Sequence, residues 1–302
     1  FTATNGSDVV LGVAASADDV CDIISYTPFE VADATFTGTT TLNGAVVINE
    51  SSADVDFRVE SNGNANMLFV DGGNNAVGIG TGSPSRLLEL SNTTNPAIRL
   101  NNGNSNVDIG VASSAGALLT GVADDNLVIA RNGAFGISFG TNGSLGLNID
   151  ATGAVTMPLQ PAFSVNKNNT TQSDLATGDT AVTVIWAAER FDQNSDFDLT
   201  NNRFVAPVTG KYQLQCNIRL HQIDSAAAYN IITIKTSNLE YSFIFDPDFG
   251  QDQTYWSVTT SVLADMDADD TASVIFVQNS GAAQTDIEGA NGYTYFTGYL
   301  VA

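Results

Sequence analysis

The side chains best equipped for chemistry are acidic and lie near the C-terminal end. Asp265, Asp267 and Asp269 alternate in the stretch Ala264-Asp-Met-Asp-Ala-Asp-Asp270, and Asp246, Asp248 and Asp252 stand a short way upstream. Carboxylates at loop positions are the hard oxygen ligands that Ca2+ takes, so Asp265, Asp267 and Asp269 form the candidate metal site and Ca2+ the candidate cofactor. The spacing opens like a calcium loop but lacks the Gly and the bidentate Glu of an EF-hand, and a solvated acidic turn is the competing reading. Around the loop Asp246-Pro-Asp-Phe-Gly-Gln-Asp-Gln253 stand Tyr241, Phe243, Phe245, Phe249, Tyr255 and Trp256. Aromatic and polar side chains on a loop suit recognition of a sugar or a protein. Phe243 and Phe245 alternate with Ser242 and Ile244 as core residues of a strand do, which leaves Phe249, Tyr255 and Trp256 as the candidate receptor contacts.

Other chemistries find few partners. The chain has one histidine, His221, so any Ser-His-Asp or Cys-His site must use it, and its place on the polar side of an alternating strand argues against that role. Zinc sites fail for the same shortage of ligands. Paired carboxylates can hydrolyse glycosidic bonds, but the acids of residues 34–160 are scattered among turns with few aromatics to stack a sugar ring. The expectation is a protein that binds and does not catalyse.

The elements that position these residues are strands. The chain is 43% hydrophobic and rich in Asn, Asp, Thr, Ser, Gly and Val, with no apolar stripe at helical spacing. A formal charge of −23 leaves no basic face for nucleic acid or for an anionic membrane, and no apolar run is long enough for a membrane-spanning helix. Cys21 and Cys216 lie in separate regions and read as small buried hydrophobes, in keeping with assembly in a reducing compartment. The opening Phe1-Thr-Ala-Thr4 carries neither initiator Met nor signal segment, and reads as part of a longer polypeptide.

Three regions are expected. Residues 1–33 read as an N-terminal β module with an Asn5-Gly6 turn. Residues 34–160 repeat a unit of turn then short strand: Asn43 to Ile48, Asn74 to Ile79, Asn132 to Ile137, Asn142 to Leu147 and Thr152 to Met157. Each copy sets Asn-Gly or its equivalent where positive φ is easy, followed by apolar residues two apart. One chain has too few apolar residues per repeat to close a core, whereas three chains wound about one axis have enough; the expectation is a trimeric β shaft. Met157-Pro-Leu-Gln-Pro161 ends the repeats, and residues 161–302 carry longer alternating strands, clearest where Tyr212, Leu214, Cys216, Ile218 and Leu220 face one way. Val274 to Val277 and Tyr293 to Leu300 are apolar on both faces, for which a neighbouring protomer is the expected cover.

Two resemblances extend this reading. Residues 2–33, closing on Phe29-Glu-Val-Ala-Asp33, resemble a module that recurs in tailed-phage fibres, and Val77-Gly-Ile-Gly-Thr-Gly-Ser-Pro84 resembles a signature of phage tail fibres and tailspikes near their trimeric shafts. A phosphate-binding loop is excluded there by Pro84 and by the lack of a βαβ unit. Residues 162–302 resemble the C1q/TNF-like family: Ala162-Phe-Ser164, Phe204-Val-Ala-Pro-Val-Thr-Gly-Lys-Tyr212 with its approach Asn194 to Asp198, and the closing Phe296-Thr-Gly-Tyr-Leu300. The sequence departs from that family at Ala264 to Asp270, where a glycine is missing. The resemblance implies a ten-stranded jelly roll that trimerises and binds. Together these give an all-β chain: a virion tail fibre, assembled in the host cytoplasm, which attaches as a homotrimer to a bacterial surface glycan or protein and joins other virion proteins through its N-terminal side. The alternatives are a structural appendage such as a head fibre, a bacterial adhesive filament with the same cap, and, less favoured, a glycan depolymerase.

Overall fold

A computed structural model describes residues 13–14, 16–20, 37–48, 52–113, 118–131 and 133–302. All its regular elements are strands. The expected β module at 1–33, with Cys21, falls almost wholly outside the described residues. By compactness the chain divides at Ser91, into units 1–91 and 92–302.

In the first unit, β1 (Phe57–Ser61), β2 (Asn64–Asp71), β3 (Ala76–Ile79) and β4 (Leu88–Leu90) form one sheet in that order. Gly63 at φ 91° and Asn75 at φ 53° turn the chain between the antiparallel strands. β3 and β4 run parallel, joined only by residues 80–87, which is short for a parallel connection. The glycines of the Val77 to Pro84 motif make this possible. A Cβ on Gly78 would lie 2.3 Å from the Thr81 carbonyl oxygen, and one on Gly80 2.1 Å from that of Ser91. The register sets Phe57, Val70, Val77 and Leu88 in one row and Val59, Leu68, Ile79 and Leu90 in the next, all on one face. None of these is buried, and Leu88 is 54% exposed.

The second unit begins with two further small sheets. β5 (Ala97–Asn101), β6 (Asn106–Val111) and β7 (Leu127–Arg131) are antiparallel. One face holds the small residues Ala112, Val128 and Ala130, packed under Leu118 and Val122, with Arg99 bonded twice to Asp108 at 2.6 and 2.7 Å. The other carries the large aliphatics Ile98, Leu100, Ile109, Val111, Leu127 and Ile129, all exposed, Leu127 to 73%. β8 (Ile137–Thr141), β9 (Ser144–Ile149) and β10 (Val155–Thr156) repeat the pattern, with Ile137, Ile149 and Val155 in one row beside Phe139 and Leu147, and the polar row Ser138, Asn148 and Thr156 behind.

The turn-then-strand unit is present at three of its expected places. Asn75, Asn142 with Gly143, and Gly153 take positive φ before β3, β9 and β10. At Asn43 to Ile48 no strand forms, because no neighbouring strand pairs with it among the described residues. At Asn132 to Ile137 the strand starts only at Ile137, the last residue of the repeat.

Residues 161–302 fold as two facing antiparallel sheets. The strands are β11 (Ala162–Asn166), β12 (Val182–Thr183), β13 (Ala188–Asp192), β14 (Phe197–Asp198), β15 (Arg203–Val205), β16 (Gly210–Ile223), β17 (Tyr229–Thr236), β18 (Glu240–Phe245), β19 (Gln253–Met266), β20 (Thr271–Asn279), β21 (Asp286–Ile287) and β22 (Tyr295–Leu300). One sheet runs β13-β11-β22-β16-β19 and the other β14-β15-β20-β17-β18, with β21 and β12 attached off these paths. Neighbours distant in sequence, with the first and last strands paired, are the wrapping of a jelly roll. The count is twelve strands, against the ten expected; β12 and β21 are two-residue pieces.

Tyr212, Leu214, Cys216, Ile218 and Leu220 are fully buried, as their alternation required. Phe163, Phe197, Phe204 and Phe296 pack around one another, with Phe163 and Phe204 stacked at 4.7 Å. The Pro207 to Gly210 turn sends Tyr212 inward, where its hydroxyl donates to the Val208 carbonyl at 2.7 Å. Gly298 clears Leu214 and Phe163, each within 2.8 Å of where a Cβ would stand. At Asp267 to Asp270 the missing glycine is replaced by Asp269 at φ 71°, a conformation that Asp tolerates better than most residues. Its N–H donates to Ala206 O at 2.8 Å, which ties the turn to the sandwich.

Candidate functional site

The long pair β16 and β19 places the three candidate receptor residues. On β19, Trp256 pairs with Leu220 and shares its inward orientation, while Tyr255 pairs with His221 and faces out. Strands β18 and β19 each lie at one edge of their sheet. Phe249, in the loop between them, meets Trp256 with ring centroids 5.0 Å apart. Phe243 and Ile244 on β18 are also exposed, Phe243 against Phe245 at 6.3 Å, so the expected core role of Phe243 is not met: at an edge strand no further strand covers it. Phe249 and Trp256 thus form one aromatic pair and Tyr255 belongs to a different face.

That second face is the outer surface of β16. Tyr255 stacks on His221 at 4.9 Å and on the Arg219 guanidinium, whose carbon lies 3.9 Å from its centroid; the Tyr293 ring takes the same guanidinium at 4.1 Å. The His221 Nδ1 is 3.3 Å from an Asp286 carboxylate oxygen. No serine or cysteine side chain lies in hydrogen-bond contact with His221 among the described residues. Cys216 is on the opposite side of the strand, buried, its thiol pushed up to about 12 by loss of solvent, which makes it a packing residue. Arg219 is not among the residues that the sequence singles out, and its ring partners were missed. The signal available was the i, i+2 spacing of Arg219 and His221.

The acidic side chains are dispersed. Asp265 pairs with Lys211 across the β16–β19 ladder at 2.6 Å. Asp267 accepts distantly from the Thr209 hydroxyl at 3.5 Å, and its N–H donates to Asp270 Oδ2 at 2.8 Å. No group of three or more His, Cys, Asp or Glu side chains converges on a possible metal position among the described residues, so Asp265, Asp267 and Asp269 are neighbours in sequence without sharing a centre. Asp252, one of the acids upstream of that run, accepts from the Ser225 N–H at 2.9 Å, the Ser225 hydroxyl at 2.8 Å and Gln284 Nε2 at 2.8 Å. These bonds, the Ser225 backbone first, hold its carboxyl below the ordinary value and fasten two loops together.

No protein-family model and no curated protein matches the chain. Among solved structures it is similar to the globular domain of zebrafish complement 1qA protein, at 15% identity over 47% of this chain and 98% of that one, with a TM-score of 0.34. It is similar to murine APRIL at pH 8.5, at 12% identity over 47% and 99% with a TM-score of 0.35, and to murine APRIL at pH 5.0, at 11% identity over the same shares with a TM-score of 0.34. C1q and TNF-family domains are thus among the structures that this chain resembles.

Proposed function

We propose that the chain is part of a homotrimeric bacteriophage tail fibre, carried on the virion, which attaches to a host-cell surface receptor through its C-terminal jelly roll and performs no catalysis. The observation that carries this reading is the set of uncovered apolar faces on the three small sheets. On β5 to β7 the exposed row Ile98, Ile109 and Ile129 faces outward while the small residues Val128 and Ala130 pack under Leu118 and Val122, and on β1 to β4 the row Phe57, Val70, Val77 and Leu88 is covered only in part. Monomeric proteins rarely expose such patches. Two further copies of the same chain supply matching faces, and the resemblance of Phe204 to Tyr212 to trimeric C1q/TNF-like heads supports three as the number. Three tips on one fibre then gain avidity from modest single sites.

The test is the mass of the full chain in solution by light scattering, with and without a calcium chelator. Three chains surviving chelation is the expected result; a stable monomer rejects the reading. A second reading, a structural cap without receptor contact, is favoured by one feature: exposed Phe243 and Ile244 lie on β18 and exposed Trp256 on β19, both edge strands open to pairing with another copy. Trp256→Ala decides between them. Attachment requires lost adsorption to bacterial cells with the trimer intact, and a structural cap requires loss of the trimer.

A further inference from the structure

The neck Met157-Pro-Leu-Gln-Pro161 joins the last small sheet to the sandwich, both within the unit 92–302. It is a turn, closed by the Gln160 N–H donating to the Met157 carbonyl at 3.0 Å, with φ fixed at Pro158 and Pro161. One side chain spans it: Gln193 Nε2 donates to the Met157 and Gln160 carbonyls, each at 2.8 Å. Asn194 Nδ2 donates to the Leu159 carbonyl at 3.1 Å, Gln160 Nε2 to the Leu300 carbonyl at 2.7 Å, and the Leu300 N–H to the Pro161 carbonyl at 3.0 Å. On the other side, Gly146 of β9 lines the same apolar hollow as Pro161, Pro207, Val208 and Leu300, so the last small sheet sits against the base of the sandwich. All these bonds lie within one chain, and a copy that covers the sheets leaves them in place.

We propose that the neck is a rigid coupler, latched by Gln193 and Asn194, which makes the β8–β10 sheet and the jelly roll one mechanical body. A link between two folded parts bends freely when its backbone groups are left to water, as Gly and Ser linkers do. Here rotation about the neck must break both Gln193 bonds together and lift Pro161 from the last strand, so a hinge motion costs several bonds at once. A displacement of the jelly roll is therefore passed into the small sheets instead of being absorbed between them. In a tail fibre that is the path by which contact at the tip reaches the rest of the particle. This last consequence rests on the attachment reading, and the coupler itself does not.

The experiment places nitroxide labels at the exposed positions Ser144→Cys on β9 and Thr200→Cys after β14 of the full chain and reads their separation by pulsed electron resonance. The background carries Cys21→Ser, and Cys216 is buried and unreactive. Labelled chains are diluted with unlabelled ones so that each distance is within one chain. The native neck is expected to give one narrow distance, and Gln193→Ala with Asn194→Ala to widen it at least about twofold with the urea transition of the sandwich kept. Gln193→Glu, which keeps the size and loses the donors, is expected to widen it as well. A broad distribution in the native neck overturns the proposal, and so does an unchanged width in both variants. A narrow distance in a chain whose mass in solution is that of one copy leaves the coupler standing and removes the trimer reading alone.

Discussion

The sandwich at 161–302 and the three small sheets between residues 57 and 156 are built from similar amounts of alternation and reach opposite outcomes. In the sandwich, each inward row meets another sheet of the same chain, and Phe163, Tyr212, Ile218 and Phe276 are wholly excluded from solvent. In the small sheets the alternation is as regular, yet the large residues of β5 to β7 point outward and the chain covers only the small side, and on β8 to β10 neither face is sealed. Period-two patterning therefore states which residues share a face, and not who covers it. In the sandwich the chain completes its own core; in the small sheets completion is left to something outside it.

The largest expected effects test that contrast directly. Phe163→Ala removes a ring packed against three others and is expected to cost about 3–5 kcal/mol, read from tryptophan fluorescence in urea. Ile109→Asp, in the centre of an exposed face, is expected to leave the sandwich transition unchanged and to lower the mass of the assembly from three chains to one. If Ile109→Asp leaves the mass at three chains, the open face is not the contact and the contrast between the regions fails.

Much of this was legible in the sequence, and the missing parts share a cause. The strand Gly210–Ile223 contains the alternation from Tyr212 to Leu220 that the sequence displays most clearly, because a long strand with one buried face repeats its signal many times. Arg203–Val205 and Ala188–Asp192 were not foreseen, since short strands repeat too little. Asp269 was unreadable as a turn residue because it stands where a glycine was expected. Of the candidate site, Phe249 and Trp256 meet as neighbours in one cluster, whereas Tyr255 departs to the other face because adjacent strand residues point oppositely. The Arg219 clasp draws on β16, β19 and the segment before β22, a union set by register and invisible in any one segment.

Lys167 sharpens the comparison from within the sandwich, where the self-made core holds a cation. It is 1% exposed and donates to the Ile185 carbonyl at 2.8 Å and more weakly to Gln172 at 3.3 Å, with no carboxylate bonded to it among the described residues. Burial pushes it down to about 8 from an ordinary 10.5. Between those values the unfolded chain binds more protons than the folded one, so this group makes stability rise with pH from 8 to 10.5. Cys216 acts in the opposite sense above pH 9, and the difference between the native chain and Lys167→Met isolates the lysine. That difference is expected to shift in favour of the native chain by up to about 3 kcal/mol across the window, measured by urea unfolding at each pH. A constant difference means that the ammonium is hydrated, and the sandwich is then less tightly sealed than the contrast requires.

The smallest effect concerns the covered side of β5 to β7. Arg99 grips Asp108 at both carboxylate oxygens, and those bonds hold the Asp108 carboxyl below its ordinary value and the Arg99 guanidinium above its own. For an acid lowered by folding, the stabilisation is present above the unfolded value near 3.9 and is lost as pH falls through the folded one. The Arg99 Nε–H resonance is therefore expected to keep its position down to pH 3.9 and to move only below it, while in Asp108→Asn no such acid transition remains. If Asp108 titrates at its ordinary value, the ion pair is not fixed, and the side of the sheet that the chain covers is no better defined than the side it leaves open.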